Sequence, residues 1–187
     1  RVIAFGGRAL QKDAQAKYLN SPETPLFHKG RTLYNLDKAR RAAHDKGQLI
    51  AVEGYVDVIA MTRAGFAETV APLGTALTED QLTLMWRMTG EPILCFDGDK
   101  AGIKAAHRAI DVALGHLQPG RTLRFAFLPG GQDPDELLRS AGAEAGAAGV
   151  TKPRSFVDVL FQREAEREPL DTPERRADLE KRLRECV

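Results

Sequence analysis

The most constraining feature of this chain is an alternation in its middle third: a short apolar run, a polar or glycine break, then a helical stretch, repeated. QLIAV (48–52), ETVAPLG (68–74), PILCF (92–96) and RTLRFAFL (121–128) are the apolar runs. Between them, Tyr55 to Ala64, the stretch from Thr78 to Gly90 and the stretch from about Ala101 to Leu117 carry helical spacing. Thr78 with Gln81 three residues on forms a capping box, and Gly65 and Gly90 read as helix stops. Strands joined by helices of this length require crossover connections, hence a mostly parallel sheet covered on both faces. PILCF does not alternate because a strand buried on both faces has no need to.

The flanks read differently. Residues 1–47 predict a strand at RVIAF, a hairpin turn at Gly6-Gly7, a polar loop over 17–30 and a short helix near Leu36 to His44. Asp133 to Arg139 starts a helix, and beyond 140 AGAEAGAAG (141–149) reads as a linker or a weak helix end. Helices follow at Phe156 to Glu166 and after Thr172-Pro173-Glu174, which supplies a cap, a proline at the first helical position and an acid. The expected organisation is therefore a basic α+β segment (1–47), an α/β unit with a mostly parallel four-stranded sheet (48–140) and a helical segment (141–187).

Charge follows the same division. Residues 1–47 hold ten Lys and Arg against four Asp and Glu, net +6; residues 48–140 hold eight against twelve, net −4; residues 141–187 hold nine against ten, net −1. A basic flank beside an acidic middle suits a polyanion bound near cations. Two cysteines, Cys95 and Cys186, support neither a disulfide framework nor a thiolate zinc site, so no zinc is expected within these residues. With no apolar run near the roughly 20 residues that span a bilayer and no secretion signal, a cytoplasmic protein without membrane contact is expected. Opening on Arg1 inside an apolar run, the sequence reads as part of a larger protein.

In an open parallel sheet, ligands bind at the carboxyl ends of the strands. The acids fall there: Glu53 after the first strand, with Asp57 one helical turn on; Asp97 and Asp99 after the third; Asp133 and Asp135 after the fourth. Two carboxylates about 4 Å apart repel by roughly 4 kcal/mol at an effective dielectric near 20, a large share of the 5–15 kcal/mol that stabilises a domain. Such a gathering calls for cations or protons. An all-oxygen donor set favours Mg²⁺ or Mn²⁺, and two such ions suit phosphoryl or nucleotidyl transfer. Singly, each motif also reads as local structure: Asp97-Gly98-Asp99 as a turn, Glu53-Gly54 as a helix entry, Asp133-Pro134-Asp135 as a helix cap. Gly74 reads as a loop glycine that lets a ligand or a backbone come close.

In order, VEGYVDV (52–58), PLGTALT (72–78), CFDGDKAG (95–102) and LPGGQDPDELL (128–138) resemble the Toprim domain of bacterial DNA primases. FGGRAL (5–10), KYLNSPETPLFHKG (17–30) and LYNLDKAR (33–40) resemble the basic segment that precedes Toprim in the primase polymerase core, and PLDTPERRADLEKRL (169–183) resembles the helical segment after it. Val56 and Pro72 depart from the pattern at positions without chemistry.

The resemblance implies synthesis of short RNA primers on single-stranded DNA from nucleoside triphosphates at the replisome. Glu53, Asp97 and Asp99 would then be catalytic, and Glu53, Asp57, Asp97, Asp99, Asp133 and Asp135 would hold the divalent ions. Arg8, Lys17, Asn20 and Lys29 would handle the nucleotide, the template and the RNA primer. It further implies a zinc-binding module before Arg1 and a contact with the replicative helicase after Val187, so these residues alone are expected to prime weakly or not at all. Two alternatives stay open: a Toprim nuclease or topoisomerase module using the same acids, and a non-catalytic nucleic-acid-binding or receiver-like domain.

Overall fold

The computed structural model describes residues 2–9, 18–73 and 76–186, with the backbone alone at 18, 141 and 143–148. The first described strand, β1 (Gly6–Arg8), pairs antiparallel with β2 (Tyr18–Asn20), Gly7 opposite Leu19. Gly6 and Gly7 thus lie inside a strand and are not a hairpin turn. Residues 2–5 form no strand, although Phe5 is tied to Ser21 through both its N–H and its carbonyl. The stretch expected as a loop contains β2 and a 3₁₀ turn, Lys29–Arg31. Lys17 and Gly74 lie outside the described residues.

Then follow β3 (Leu33–Tyr34), α1 (Leu36–Lys46), β4 (Ile50–Ala51), α2 (Tyr55–Arg63), β5 (Thr69–Pro72), α3 (Glu79–Trp86), β6 (Ile93–Phe96), α4 (Lys100–Leu114) and β7 (Arg124–Phe127). A 3₁₀ turn at Pro129–Gly131 leads into α5 (Pro134–Thr151), β8 (Arg154–Ser155), α6 (Phe156–Ala165) and α7 (Pro173–Glu185). The second sheet runs β3-β5-β4-β6-β7-β8. Its four central strands are parallel, Ala51 aligning with Val70 on one side and Leu94 on the other, and Phe96 aligning with Phe127. β3 and β8 are short antiparallel edge strands that the sequence reading missed, two residues each. Residues 141–149 are no linker: α5 continues through them, broken where Gly142 takes φ 80° and ψ 177°.

Both faces of the sheet are covered. Leu49, Ala51, Val70, Leu94, Leu123 and Phe125 pack with α1, α3, α4 and α6 on one side. Their neighbours Ile50, Val52, Ala71, Ile93, Cys95, Ala126 and Leu128 pack with α2 and α5 on the other. Alternate residues of one strand thus fill two different cores, the physical content of an apolar run without alternation.

Two polar devices tie the flanks down. Gln81, fully buried, closes the predicted box with Thr78 and also donates from Nε2 to the carbonyls of Lys29 (2.9 Å) and Thr32 (3.0 Å), fixing the 3₁₀ turn to α3. Glu164, 1% exposed, faces Nε of Arg163 and of Arg167, each at 3.0 Å, and Nε of Arg182 at 3.6 Å, which pins α7 to α6.

Candidate active site

The strand order fixes where a ligand belongs. From β4 the chain crosses to β5 on one side, then passes over β4 to place β6 on its other side and continues outward to β7. The order therefore reverses between β4 and β6, and that crevice, at the carboxyl ends, is where open parallel sheets bind ligands. Glu53 follows β4 and Asp97 follows β6, so the two flank the switch point. A cavity of about 340 Å³ opens there, walled by Glu53, Asp57, Asp97 and Asp133 and floored by Ala51, Leu94, Phe96 and Leu77.

Each acid has a local role as well. Asp57 is 4% exposed, its Oδ2 accepts from the Gly54 N–H at 3.0 Å, and its Oδ1 is buried without a hydrogen-bond partner. Its side chain therefore folds back to cap α2, while Glu53 lies exposed at the edge. Asp99 caps α4 by accepting from the Gly102 N–H at 2.7 Å, and Asp133 caps α5 by accepting from the Glu136 N–H at 2.8 Å. Asp135 pairs with Arg139 one turn on. The capping reading of Asp99 and Asp133 thus holds beside the gathering of charge. The N-termini of α2, α4 and α5 all open on this edge, and their positive dipole ends offset part of the acid repulsion.

That offset is incomplete. Burial, and then the charges of Glu53, Asp57, Asp133 and Asp99, push the Asp97 carboxyl up to about 7. Burial, and then Asp133, push Asp57 up to about 6, although the Gly54 N–H and Arg8 pull the other way. Asp135 adds to the effect on Asp57, so all six acids of the sequence reading share one electrostatic neighbourhood. Beneath them Cys95, buried in β6, has its thiol pushed up to about 12 by burial and by the same acids, which keeps it an inert thiol.

The loop Asp97-Gly98-Asp99 is held by close packing of backbone on backbone. A Cβ at Gly98 would lie 1.9 Å from the Leu128 carbonyl oxygen, and one at Gly102 would lie 2.0 Å from that of Asp97. The acid loops after β6 and β7 are therefore in direct contact.

The basic candidates divide. Arg8, carried by β1, reaches Asp133 at 3.9 Å. Asn20, on β2, donates from Nδ2 to the Leu73 carbonyl at 3.2 Å, which docks the two-stranded ribbon onto the edge beside β5. Lys29 is held through its backbone, its N–H donating to Glu23 and its carbonyl accepting from Gln81, and among the described residues no contact brings it to the acids. Two residues at the site escaped the sequence reading. Tyr55, the first residue of α2, lies under Gly6 and packs against the Tyr34 ring at 5.8 Å between centroids. Arg108, on α4, lines the cavity about two and a half turns from Asp99. Its place inside a helix-forming stretch gave no signal.

Among the described residues no three His, Cys, Asp or Glu side chains stand ready to hold one ion together. The donor set nevertheless fits a hard cation: every donor is oxygen, and Asp57, whose Oδ1 is buried and unpartnered, lines one cavity with Glu53, Asp97 and Asp133. No helix of the described residues is long and apolar enough to cross a membrane.

An acid edge at the switch point of a covered parallel sheet, with a basic ribbon docked beside it, is the arrangement of a Toprim protein, and comparison with known families agrees. The Toprim domain family matches residues 47–124, and the family of the DNA primase catalytic core, N-terminal domain, matches residues 1–40. The chain belongs to the bacterial DNA primases, in the region of their catalytic core. It is 47% identical over 179 residues to the DNA primase of Escherichia coli K12, covering 96% of this chain and 31% of that protein. With the DNA primase of Pseudomonas aeruginosa it shares 48% identity over 163 residues, 87% of this chain and 24% of the relative. The chain thus spans about a quarter to a third of the curated relatives it matches. Among solved structures it is similar to a DNA primase domain from Pseudomonas aeruginosa (TM-score 0.88, 46% identity, 96% of this chain and 56% of that one). It is also similar to the E. coli primase catalytic core (TM-score 0.85, 47% identity, 96% and 57%) and to a DnaG primase catalytic domain bound to single-stranded DNA (TM-score 0.86, 46% identity, 97% and 58%).

Proposed function

We propose that this chain carries the nucleotidyl-transfer centre of a primase, which extends short RNA primers on single-stranded DNA from nucleoside triphosphates. The observation that carries the reading is the gathering of six acids at one sheet edge, four of them lining the switch-point crevice, with Arg8 of the preceding ribbon 3.9 Å from Asp133. A relative of the same fold bound to single-stranded DNA supports the template. Mg²⁺ or Mn²⁺ would be held by Glu53, Asp57, Asp97, Asp99, Asp133 and Asp135, the catalytic share falling to Glu53, Asp97 and Asp99. Bound there, such ions supply an activated attacking hydroxyl and neutralise phosphate charge.

The chain's own residues do the rest. Arg8 stands as a cation for phosphate beside Asp133, with Lys17 and Lys29 as further cations on the same basic segment and Asn20 as an amide for sugar or base. Leu94, Phe96 and Leu77 keep water from the floor of the cavity, which strengthens every charge interaction above it. In the absence of a cation Asp97 shares a proton with solvent near neutral pH and gives it up when a cation binds. Contact with the replicative helicase, start-site selection and a place at the cytoplasmic replisome belong to the whole protein.

The test is Mn²⁺-dependent GTP binding by this chain. Asp97→Asn and Asp99→Asn are expected to abolish it, and Asp97→Asn in the complete protein is expected to abolish primer synthesis on single-stranded DNA. Unchanged Mn²⁺ and GTP binding in both variants overturns the metal-centre reading, and cleavage of labelled DNA in Mn²⁺ would favour a nuclease instead.

A further inference from the structure

α4 is unlike the other helices in its charge. Its exposed residues Lys100, Lys104 and Arg108 follow one another at i, i+4 and i+8, one row along about 12 Å of helix. Like charges at that spacing repel and weaken a helix. Lys100 also occupies the first helical position, where the macrodipole disfavours a cation, and no residue within the first turn of α4 is acidic. Among the described residues, each of the other six α-helices places at least one Asp or Glu in its first turn. Among the described residues no acid pairs with Lys100, Lys104 or Arg108. The contrast with α7 is direct: there Arg175, Lys181, Arg182 and Arg184 each meet an acid four residues away.

A row kept at a cost to its own helix, and left without acids, is charge held for something outside the chain. Its position says what. It starts at the residue after Asp99 and ends at Arg108, which shares the cavity wall with Glu53, Asp97 and Asp133. We propose that Lys100, Lys104 and Arg108 form a track for the phosphodiester backbone of single-stranded DNA, carrying the template strand past the acid edge. This rests on the nucleotidyl-transfer reading for the identity of the strand, but the track itself is tested without nucleotide or metal. Single strands are favoured over a duplex because three cations in one narrow row meet one line of phosphates, and Arg and Lys supply the sequence-independent contacts that a template path requires.

The test is binding of fluorescein-labelled dT15 in EDTA across 50–200 mM salt. Three proteins are compared: the parent chain, Lys100→Gln/Lys104→Gln/Arg108→Gln, and a control that loses the same net charge on α7, Arg175→Gln/Lys181→Gln/Arg184→Gln. Each lost phosphate contact reduces the slope of log K against log salt by about 0.7 for a single strand, so the α4 variant is expected to lose about 2 from the slope and about 100-fold in affinity at 0.1 M salt. The α7 control is expected to keep the slope. Removing the like charges leaves the melting temperature of the α4 variant equal to or above that of the parent, so lost binding is not lost folding. An unchanged slope in the α4 variant, an equal fall in the control, or no binding of dT15 by the parent chain overturns the proposal. In each of these cases Mn²⁺-dependent GTP binding still judges the acid edge separately.

Discussion

Without a cation the acid edge destabilises the fold, and Asp97→Asn should make the metal-free protein more stable while removing its metal response. An Asp carboxyl in an unfolded chain titrates near 3.9, and in the folded protein Asp97 titrates at about 7. Between those values the folded state binds the extra proton, so ΔG of unfolding falls as pH rises from about 4 to about 7 and stays low on the alkaline side. The full difference corresponds to about 4 kcal/mol. Asp97 is only half-buried, and solvent screening leaves about 1–2 kcal/mol of that as a realistic penalty. In a chain of this size 1 kcal/mol moves the melting temperature by about 2–4 °C, so Asp97→Asn should raise it by about 2–8 °C at pH 8 in EDTA. At pH 4 the aspartate is protonated, and asparagine should give no gain. Thermal unfolding followed by circular dichroism at both pH values, with EDTA and then with Mn²⁺, reads all of this. A melting temperature that falls at pH 8, or rises equally at pH 4, refutes the repulsion argument; a variant still stabilised by Mn²⁺ refutes the assignment of Asp97 as a ligand.

Other perturbations probe the supports. Gly98→Ala drives a Cβ into the Leu128 carbonyl and should cost about 1–3 kcal/mol by urea unfolding with an unchanged m-value, together with loss of Mn²⁺-dependent GTP binding as the acid loop shifts. Gln81→Ala strands the Lys29 and Thr32 carbonyls and should cost about 2–4 kcal/mol, with faster hydrogen exchange at Lys29–Arg31 than in the central strands. Glu164→Ala leaves Arg163 and Arg182 without their buried carboxylate and should cost about 3–5 kcal/mol, with proteolysis between α6 and α7 appearing before global unfolding. Mn²⁺ affinity should rise with pH from 6 to 8, because cation and proton compete at Asp57 and Asp97, and titration calorimetry should detect proton release near pH 6.5.

Much of the centre of the molecule was legible in the sequence because its signals are local. PILCF reads as a doubly covered strand, Thr78 with Gln81 reads as a cap, and the acids fall just after the strand signals. What could not be read was order across the sheet. Nothing local says that β6 lies beside β4 and not beside β5, yet that choice places Glu53 and Asp97 on either side of the switch point. The edge strands Leu33–Tyr34 and Arg154–Ser155 are too short to show a period, and their pairing is set by tertiary contact. Gly6-Gly7 misled for a related reason: glycine marks a turn, but it also marks a strand onto which another side chain packs, here Tyr55. Asn20 carries an amide fit for a ligand, and only the structure reveals its bond to Leu73.

The contact between Gly98 and the Leu128 carbonyl has a consequence for anyone moving this centre to another scaffold. Residues 97–102 and 128–133 should therefore be moved as one cassette, since the backbone of the first packs directly on the Leu128 carbonyl of the second. A graft that carries the first alone delivers two aspartates to a new protein without the wall that holds them apart. The same coupling bears on insertions: added length is expected to be tolerated behind Gly115, where α4 ends in open space, and not in front of Gly102.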